Sequence, residues 1–310
     1  MAIPIAKSIE ILLHPKRIFV YYYRGIDFWP PKNFSKRYQF RFYLLELPLR
    51  WIFKAVFPQN WDGSQFRTFF DEDVFIDNFF LQENFQPKTF VDIGAGDGID
   101  MSNTFKLANR GLTGLAIEGN PLRFSQLSLT YEKYRNMTLI RSYVSAESVG
   151  GLINGAGIPN NFDVLNLDID SYDYHVLESI LNEFNPKLCV LEWNRSYPPT
   201  IFFTVNNDPN IRWDLNSRLM AGGSLLAFYS LLQQFNYKII GVQGAAIFAV
   251  PTDSSPNWLQ LSINDSWNQY IQGPSKWVDT DEGLLSMSKE GAIQECSIGL
   301  QKFNGHYVIH

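Results

Sequence analysis

The sequence predicts an α/β protein built on a Rossmann-like, seven-stranded, mostly parallel sheet, with helices on both faces and a hairpin at one edge. Three observations predict it. Short apolar runs alternate with segments of helical periodicity from Asp71 onward, and that alternation specifies βαβ units. The run Thr89-Phe90-Val91 opens into Asp92-Ile93-Gly94-Ala95-Gly96-Asp97-Gly98, a glycine-rich turn from strand to helix. A second apolar run, Gly114–Ile117, ends at Glu118, the spacing at which a nucleoside pocket carries an acidic residue. Glycines serve such a turn because it needs positive φ angles and because a missing Cβ lets a ligand lie against the backbone.

In chain order, Asp71–Leu81 has helical periodicity and Phe90–Ile93 is a buried strand. Ser102–Asn109 continues as a helix after the glycine turn, Gly114–Ile117 is the second strand, and Pro121–Tyr134 is a helix. Thr138–Tyr143 and Phe162–Leu167 read as strands, Tyr174–Glu183 as a helix, and Leu188–Leu191 as the fifth strand. Leu225–Phe235 is helical, and Tyr237–Gly241 and Ala245–Val250 are two strands joined by a short turn. Residues 196–223 lack periodicity and contain Pro198, Pro199, Pro209 and Gly222-Gly223, the pattern of a lid or substrate loop. Residues 254–310, with Trp258, Trp267 and Trp277, are expected to cover the sheet edge or to mediate a homodimer.

A chain of 310 residues, 45% hydrophobic and 18% charged, can bury one large core with appendages. Its organisation reads as an N-terminal extension (1–61), a central domain (62–253) and a C-terminal extension (254–310). Only Cys189 and Cys296 are present, and the first lies in an apolar run, so a disulfide framework is not expected and a reducing, cytoplasmic setting is. No secretory signal is visible, and the apolar stretch 40–57 is broken by Arg41, Glu46, Arg50 and Lys54, which a spanning helix does not tolerate.

Charge is unevenly distributed. Ten of the 26 Lys and Arg but three of the 31 Asp and Glu fall in residues 1–61, a net of +7, which leaves the remainder at −12. The basic segment is interleaved with aromatics such as Tyr21, Trp29, Tyr38, Phe42 and Trp51. Three uses stay open for it: packing on the central domain or a second subunit, peripheral membrane contact, and, least favoured, nucleic acid. The acidic body argues against a nucleic-acid enzyme.

The glycine turn and Glu118 suit a nucleoside cofactor, since a carboxylate accepts hydrogen bonds from both ribose hydroxyls. A dinucleotide and S-adenosylmethionine (SAM) are the two candidates. Asp92 favours SAM, because a carboxylate at this turn would repel a pyrophosphate, whereas the ammonium and sulfonium of SAM are cations. Further acids stand at the next strand ends: Asp168, Asp170 and Asp173 after the fourth strand, and Glu192 with Asn194 after the fifth. Carboxylates this close raise one another's pKa unless a cation or shared proton neutralises them. Asp168, Glu192 and Asn194 would suit Mg²⁺, and hydrogen bonds to backbone amides or to the SAM ammonium are the other use for Asp168.

The stretch FVDIGAGDGIDMSNTFKLANRGLTGLAIEGNP resembles class I SAM-dependent methyltransferases, and most closely the FkbM-type family. The resemblance spans Asp62 to Pro251 and continues through LNLDIDSYDYHVLESI and VLEWNRSYPP. It implies a class I methyltransferase fold and an O-methyltransferase acting on a hydroxyl of a sugar, glycan or small natural product. LNLDIDSYDYHVLESI also resembles metal-dependent sugar O-methyltransferases of the macrolide-tailoring type. That match implies Asp168 as an Mg²⁺ ligand and Asp170 as general base. The chain departs from that family on the fifth strand, where Glu192, Trp193 and Asn194 replace two adjacent acids. His175 is the second candidate base.

For the cofactor, Asp92, Gly94, Gly96 and Asp97 are assigned to the methionine end, with Ser102 and Asn103 at the helix start that also favours the carboxylate. Glu118 takes the ribose, Asn120 the adenine edge, and Ser142 or Tyr143 the adenine amino group. Trp193, Tyr172 and Tyr197 are read either as the floor of a sugar cleft or as core. Two other functions fit the same architecture: a nicotinamide-dependent oxidoreductase, and a non-catalytic methyltransferase-like module tethered by its basic arm.

Overall fold

A computed structural model describes Thr68 and residues 71–208, 219–273 and 280–310. The basic N-terminal segment and its expected membrane or packing role lie outside the described residues. Residues 62–310 form one compact unit.

Helix α1 (Glu72–Gln82) precedes β1 (Thr89–Ile93). Then come α2 (Phe105–Asn109), β2 (Thr113–Ile117), α3 (Pro121–Thr130), β3 (Met137–Ile140), α4 (Val149–Gly155), β4 (Val164–Leu167), α5 (Asp173–Glu183) and β5 (Leu188–Glu192). After β6 (Phe203–Val205) follow α6 (Leu225–Gln234), β7 (Tyr237–Gln243), β8 (Ala246–Pro251) and α7 (Ile263–Gln272). Helices α8 (Glu282–Ser286) and α9 (Lys289–Gly299) and strand β9 (Tyr307–Ile309) complete the chain.

Seven strands form one sheet in the order β3-β2-β1-β4-β5-β8-β7. Strands β1–β5 pair in parallel, while β8 runs antiparallel to both β5 and β7. This is the Rossmann-like class I methyltransferase fold, with the edge hairpin that the resemblance implies.

Alternating side chains divide the core between the two sheet faces, as the period of a strand requires. Val91, Ile93, Leu115, Ile117, Leu165 and Leu167 belong to one cluster, with Val176, Ile180, Phe228 and Trp267. Phe90, Ala116, Val164, Leu188 and Val190 belong to the other, with Ile76, Phe79, Leu107 and Leu127. Phe75 of α1 stacks on Phe248 of β8 at 3.9 Å. Gly241 makes the approach possible, since a Cβ there would meet the Phe75 ring at 2.5 Å.

The C-terminal residues divide their work. Helix α7 covers the edge strand β7, with Gln269 Oε1 accepting from Val242 N at 3.0 Å beside the bulge at 239–241. The tail instead builds a second small sheet, β6 with β9, over a separate core that includes Tyr197, Phe203, Met220, Cys296 and Leu300. The stretch 196–223, read as an aperiodic loop, thus contains β6, whose partner lies about a hundred residues away in sequence. Helix α2 starts at Phe105 rather than Ser102, because Met101 takes a positive φ of 54° and Ser102 Oγ accepts from Phe105 N. Among the described residues no helix is long and apolar enough to cross a membrane.

Candidate functional site

Parallel pairing sets the site. Ile93 is level with Ile117 and with Leu167, and Leu167 is level with Leu191. The next residue on each strand is therefore Gly94, Glu118, Asp168 or Glu192, four groups in one row at the carboxyl edge where open α/β sheets bind ligands. Gly94, Gly96 and Gly98 all have positive φ, at 89°, 58° and 79°. Gly94 also packs against the neighbouring strand end: a Cβ there would lie 1.6 Å from the Asp168 carbonyl oxygen.

Glu118 is buried and clasps the turn. Its Oε2 accepts from Gly96 N at 2.9 Å and its Oε1 from Asn120 N at 2.6 Å. Each oxygen keeps a second lone pair for a further donor. Asp97 folds the turn locally, accepting from Ile99 N and Asp100 N.

Asp92 is placed behind this row. It is 2% exposed, and both oxygens are engaged, by Thr104 Oγ1 at 2.6 Å and Asn166 Nδ2 at 2.8 Å. Asn103 extends the chain by donating to Asn166 Oδ1 at 2.9 Å. Asp92 thus ties β1 to β4 and to the start of α2, where the sequence reading had it facing the cofactor. Burial raises its pKa to about 6, against hydrogen bonds from Thr104 and Asn166 that lower it. Thr104 and Asn166 were missed in the sequence, although Asn166 interrupts an otherwise apolar strand.

The acids meet as expected, with one exchange of members. Asp168, Asp170 and Glu192 each offer a carboxylate oxygen within 4.8 Å of the others. Asp168 and Glu192 are half-buried and Asp170 is exposed, yet protein surrounds all three closely enough that desolvation is the main influence on each. Asp168 is pushed up to about 7 by burial and then by Asp170, and Glu192 well above the carboxylate range by burial and then by Asp168. Asp170 is also raised by burial, partly offset by its contacts with Glu192 and by the charge of Arg123. Asp173 fixes the loop between them, with Oδ1 accepting from Ile169 N at 2.8 Å and Oδ2 from Ser171 N at 3.0 Å. Asp170 itself takes a positive φ of 56°.

Other expected residues stand elsewhere. Asn194 is outside the acid cluster: its Nδ2 donates to Ala221 O at 2.8 Å and Leu219 O at 3.2 Å, and its Oδ1 accepts from Ser196 N. Asp170 takes the place given to it among the metal ligands. His175 lies along α5, with Nδ1 3.8 Å from Glu178 Oε2. Asn120 caps α3, accepting from Leu122 N and Arg123 N, so its side-chain oxygen is committed to the helix. Ser102 Oγ likewise serves Thr104 N and Phe105 N. Tyr143 is exposed with its ring against Gly119, and Ser142 Oγ donates to the Tyr143 carbonyl. Trp193, Tyr172 and Tyr197 are core residues rather than a cleft floor. Trp193 packs on Trp267 and Tyr270, and the two tyrosine hydroxyls donate to Val144 O and Leu219 O.

Carboxyls with raised pKa hold more protons in the folded chain than in the unfolded one, so stability falls as pH climbs from about 4 to about 7. Asp92 and Asp173, each raised to about 6 by burial, contribute about 1–3 kcal/mol apiece. Asp163 does not oppose this: burial raises it, but hydrogen bonds from Lys187, Lys88 N and Thr89 N outweigh burial, so its contribution is lost only at lower pH. In buffer with chelator, the melting temperature is expected to drop between about pH 5 and pH 7.5, and Asp92→Asn to flatten part of the drop. A rise over that range would contradict this electrostatic picture.

No family model and no curated protein matches the chain. Parts of it are similar to solved structures at low identity. The N-terminal domain of EvdMO1, solved in the presence of SAH and D-fucose, is 13% identical over 58% of this chain and 82% of that one, with a TM-score of 0.38. A S-adenosylmethionine-dependent methyltransferase from Clostridium acetobutylicum ATCC 824 is 10% identical over 66% of this chain and 98% of that one, at 0.38. Precorrin-6y C5,15-methyltransferase from Geobacter metallireducens GS-15 is 15% identical over 56% and 85%, at 0.34. The fold assignment rests on the strand order itself.

Proposed function

We propose that the protein is a SAM-dependent O-methyltransferase acting on a hydroxyl of a sugar, glycan or small natural product. One observation carries the reading: Gly94, Glu118, Asp168 and Glu192 stand in one row, the first three just beyond β1, β2 and β4 and Glu192 the last residue of β5. A cationic donor suits a row in which three of the four groups are acids, and Glu118 suits its ribose. Methyl transfer from a sulfonium is an in-line displacement, so the protein has to align the acceptor, take its proton and exclude water. Asp170, the most exposed of the three clustered acids, is assigned to accept that proton. Asp168 and Glu192 set its charge environment and share a proton when no cation is near.

The same three carboxylates fit a divalent ion that prefers oxygen ligands. Asp168, Asp170 and Glu192 would hold Mg²⁺, which when bound lowers the pKa of a coordinated hydroxyl. Asn194 drops out of this set because its side chain is engaged with Leu219 and Ala221.

Calorimetric titration with SAM, its demethylated product and NAD, each with Mg²⁺ and with chelator, tests the reading. SAM is expected to bind and NAD not to. In Glu118→Ala, SAM affinity should fall by more than about tenfold, since a charged hydrogen-bonding group is lost. Binding of NAD alone, or of neither, would contradict the proposal. Turnover that is unchanged by chelator would remove the metal and leave the carboxylate base.

A further inference from the structure

We propose that Arg123 binds the carboxylate at the methionine end of the methyl donor. The inference rests on the cofactor reading above and adds the residue that meets the donor's one negative charge.

SAM carries an ammonium, a sulfonium and a carboxylate. The first two suit a groove edged by Glu118, Asp168, Asp170 and Glu192. The carboxylate does not, because like charges a few ångströms apart repel unless a cation intervenes. The helix after the glycine turn cannot supply the attraction. Helix α2 has only five residues and begins at Phe105, while Ser102 Oγ and Asn103 Nδ2 are engaged by Phe105 N and Asn166.

Arg123 is placed to do so. It sits in the first turn of α3, where a cation is unfavourable to the helix dipole, so helix stability does not account for it. Asn120 Oδ1 accepts from Arg123 N at 3.2 Å and fixes its backbone, while Glu118 joins Asn120 N to Gly96 N. The exposed guanidinium lies over the glycine turn, with Nη1 3.8 Å from where a Cβ of Gly96 would stand. Its charge reaches Asp170 on the far side. Arg123 therefore stands beside the glycine turn, against which the methionine end would lie, with its charge felt at Asp170 in the loop after β4. A planar guanidinium also matches a carboxylate through paired hydrogen bonds.

Calorimetry on the full chain with SAM and with decarboxylated SAM, which keeps both cations and lacks the carboxylate, separates this role from a general one. Arg123→Gln is expected to weaken SAM about ten- to hundredfold, the range for a charge-assisted hydrogen bond, and to leave decarboxylated SAM unchanged or tighter. Arg123→Lys, which keeps the charge, should recover part of the loss for SAM alone. Equal losses for the two ligands, or undiminished SAM binding in either variant, would overturn the assignment and leave the cofactor reading standing. If the unaltered chain binds neither ligand, both fall together.

Discussion

Gly94→Ala is expected to be the most damaging single substitution in the sheet. The new methyl would need to occupy a point 1.6 Å from the Asp168 carbonyl oxygen, and a φ of 89° is itself costly for a residue with a side chain. Backbone opposes it rather than the end of a flexible side chain, so β1 and β4 must separate where Asp92, Asn166 and Thr104 hold them together. The expected loss is about 3–5 kcal/mol, the range reserved for backbone conflict in a packed core. Gly157→Ala is the control, because its φ of 72° is similar and nothing lies within 4 Å of the added atom. It should cost about 1–2 kcal/mol, the conformational part alone. Denaturant titration of the pair measures the difference. Equal losses would show that the contact between the glycine turn and the β4 end does not constrain the fold.

The largest effect on activity is expected from Asp170→Asn. Asparagine tolerates the left-handed backbone found here, at a φ of 56°, so the substitution changes the charge and leaves the loop in place. Removing a general base costs about 10²–10⁴ in kcat, and the loss should appear with SAM affinity within a few fold of the unaltered protein. Because burial raises Asp170 above the ordinary carboxylate range, turnover without divalent ion should rise with pH at values above those at which a free aspartate ionises. The hydrogen bond from Glu192 lowers both Asp168 and Asp170, so Glu192→Ala, which removes it, should shift this rise to higher pH. Turnover by Asp170→Asn at the unaltered rate would reassign the base.

The fold was legible because its signals are local. Buried parallel strands read as apolar runs, and the glycine turn needs residues that no other structure would favour at that spacing. Helix α4 escaped because Gly150, Gly151 and Gly155 dilute its periodicity. Strands β6 and β9 escaped because each is three residues long and finds its partner far along the chain, and no local pattern records such pairing. The site divides in the same way. That Asp168, Asp170 and Glu192 converge follows from strand order and register. Which polar groups turn outward does not, since local backbone donors compete for them: Asn120 is taken by the α3 N-terminus, Asn194 by the backbone at 219–221, and Asp92 by Thr104 and Asn166. Arg123 was missed, although a cation in a first helical turn, a position that ordinarily favours acids, is a signal for it.

The central claim is that four neighbouring strand tips hold a cationic methyl donor. A crystal structure of the full chain grown with the demethylated product tests it most directly. The ribose hydroxyls are expected on Glu118 and the amino-acid end between Gly96 and Asp170. A vacant groove under saturating ligand, or a diphosphate seated against the glycine turn when NAD is supplied instead, would contradict it.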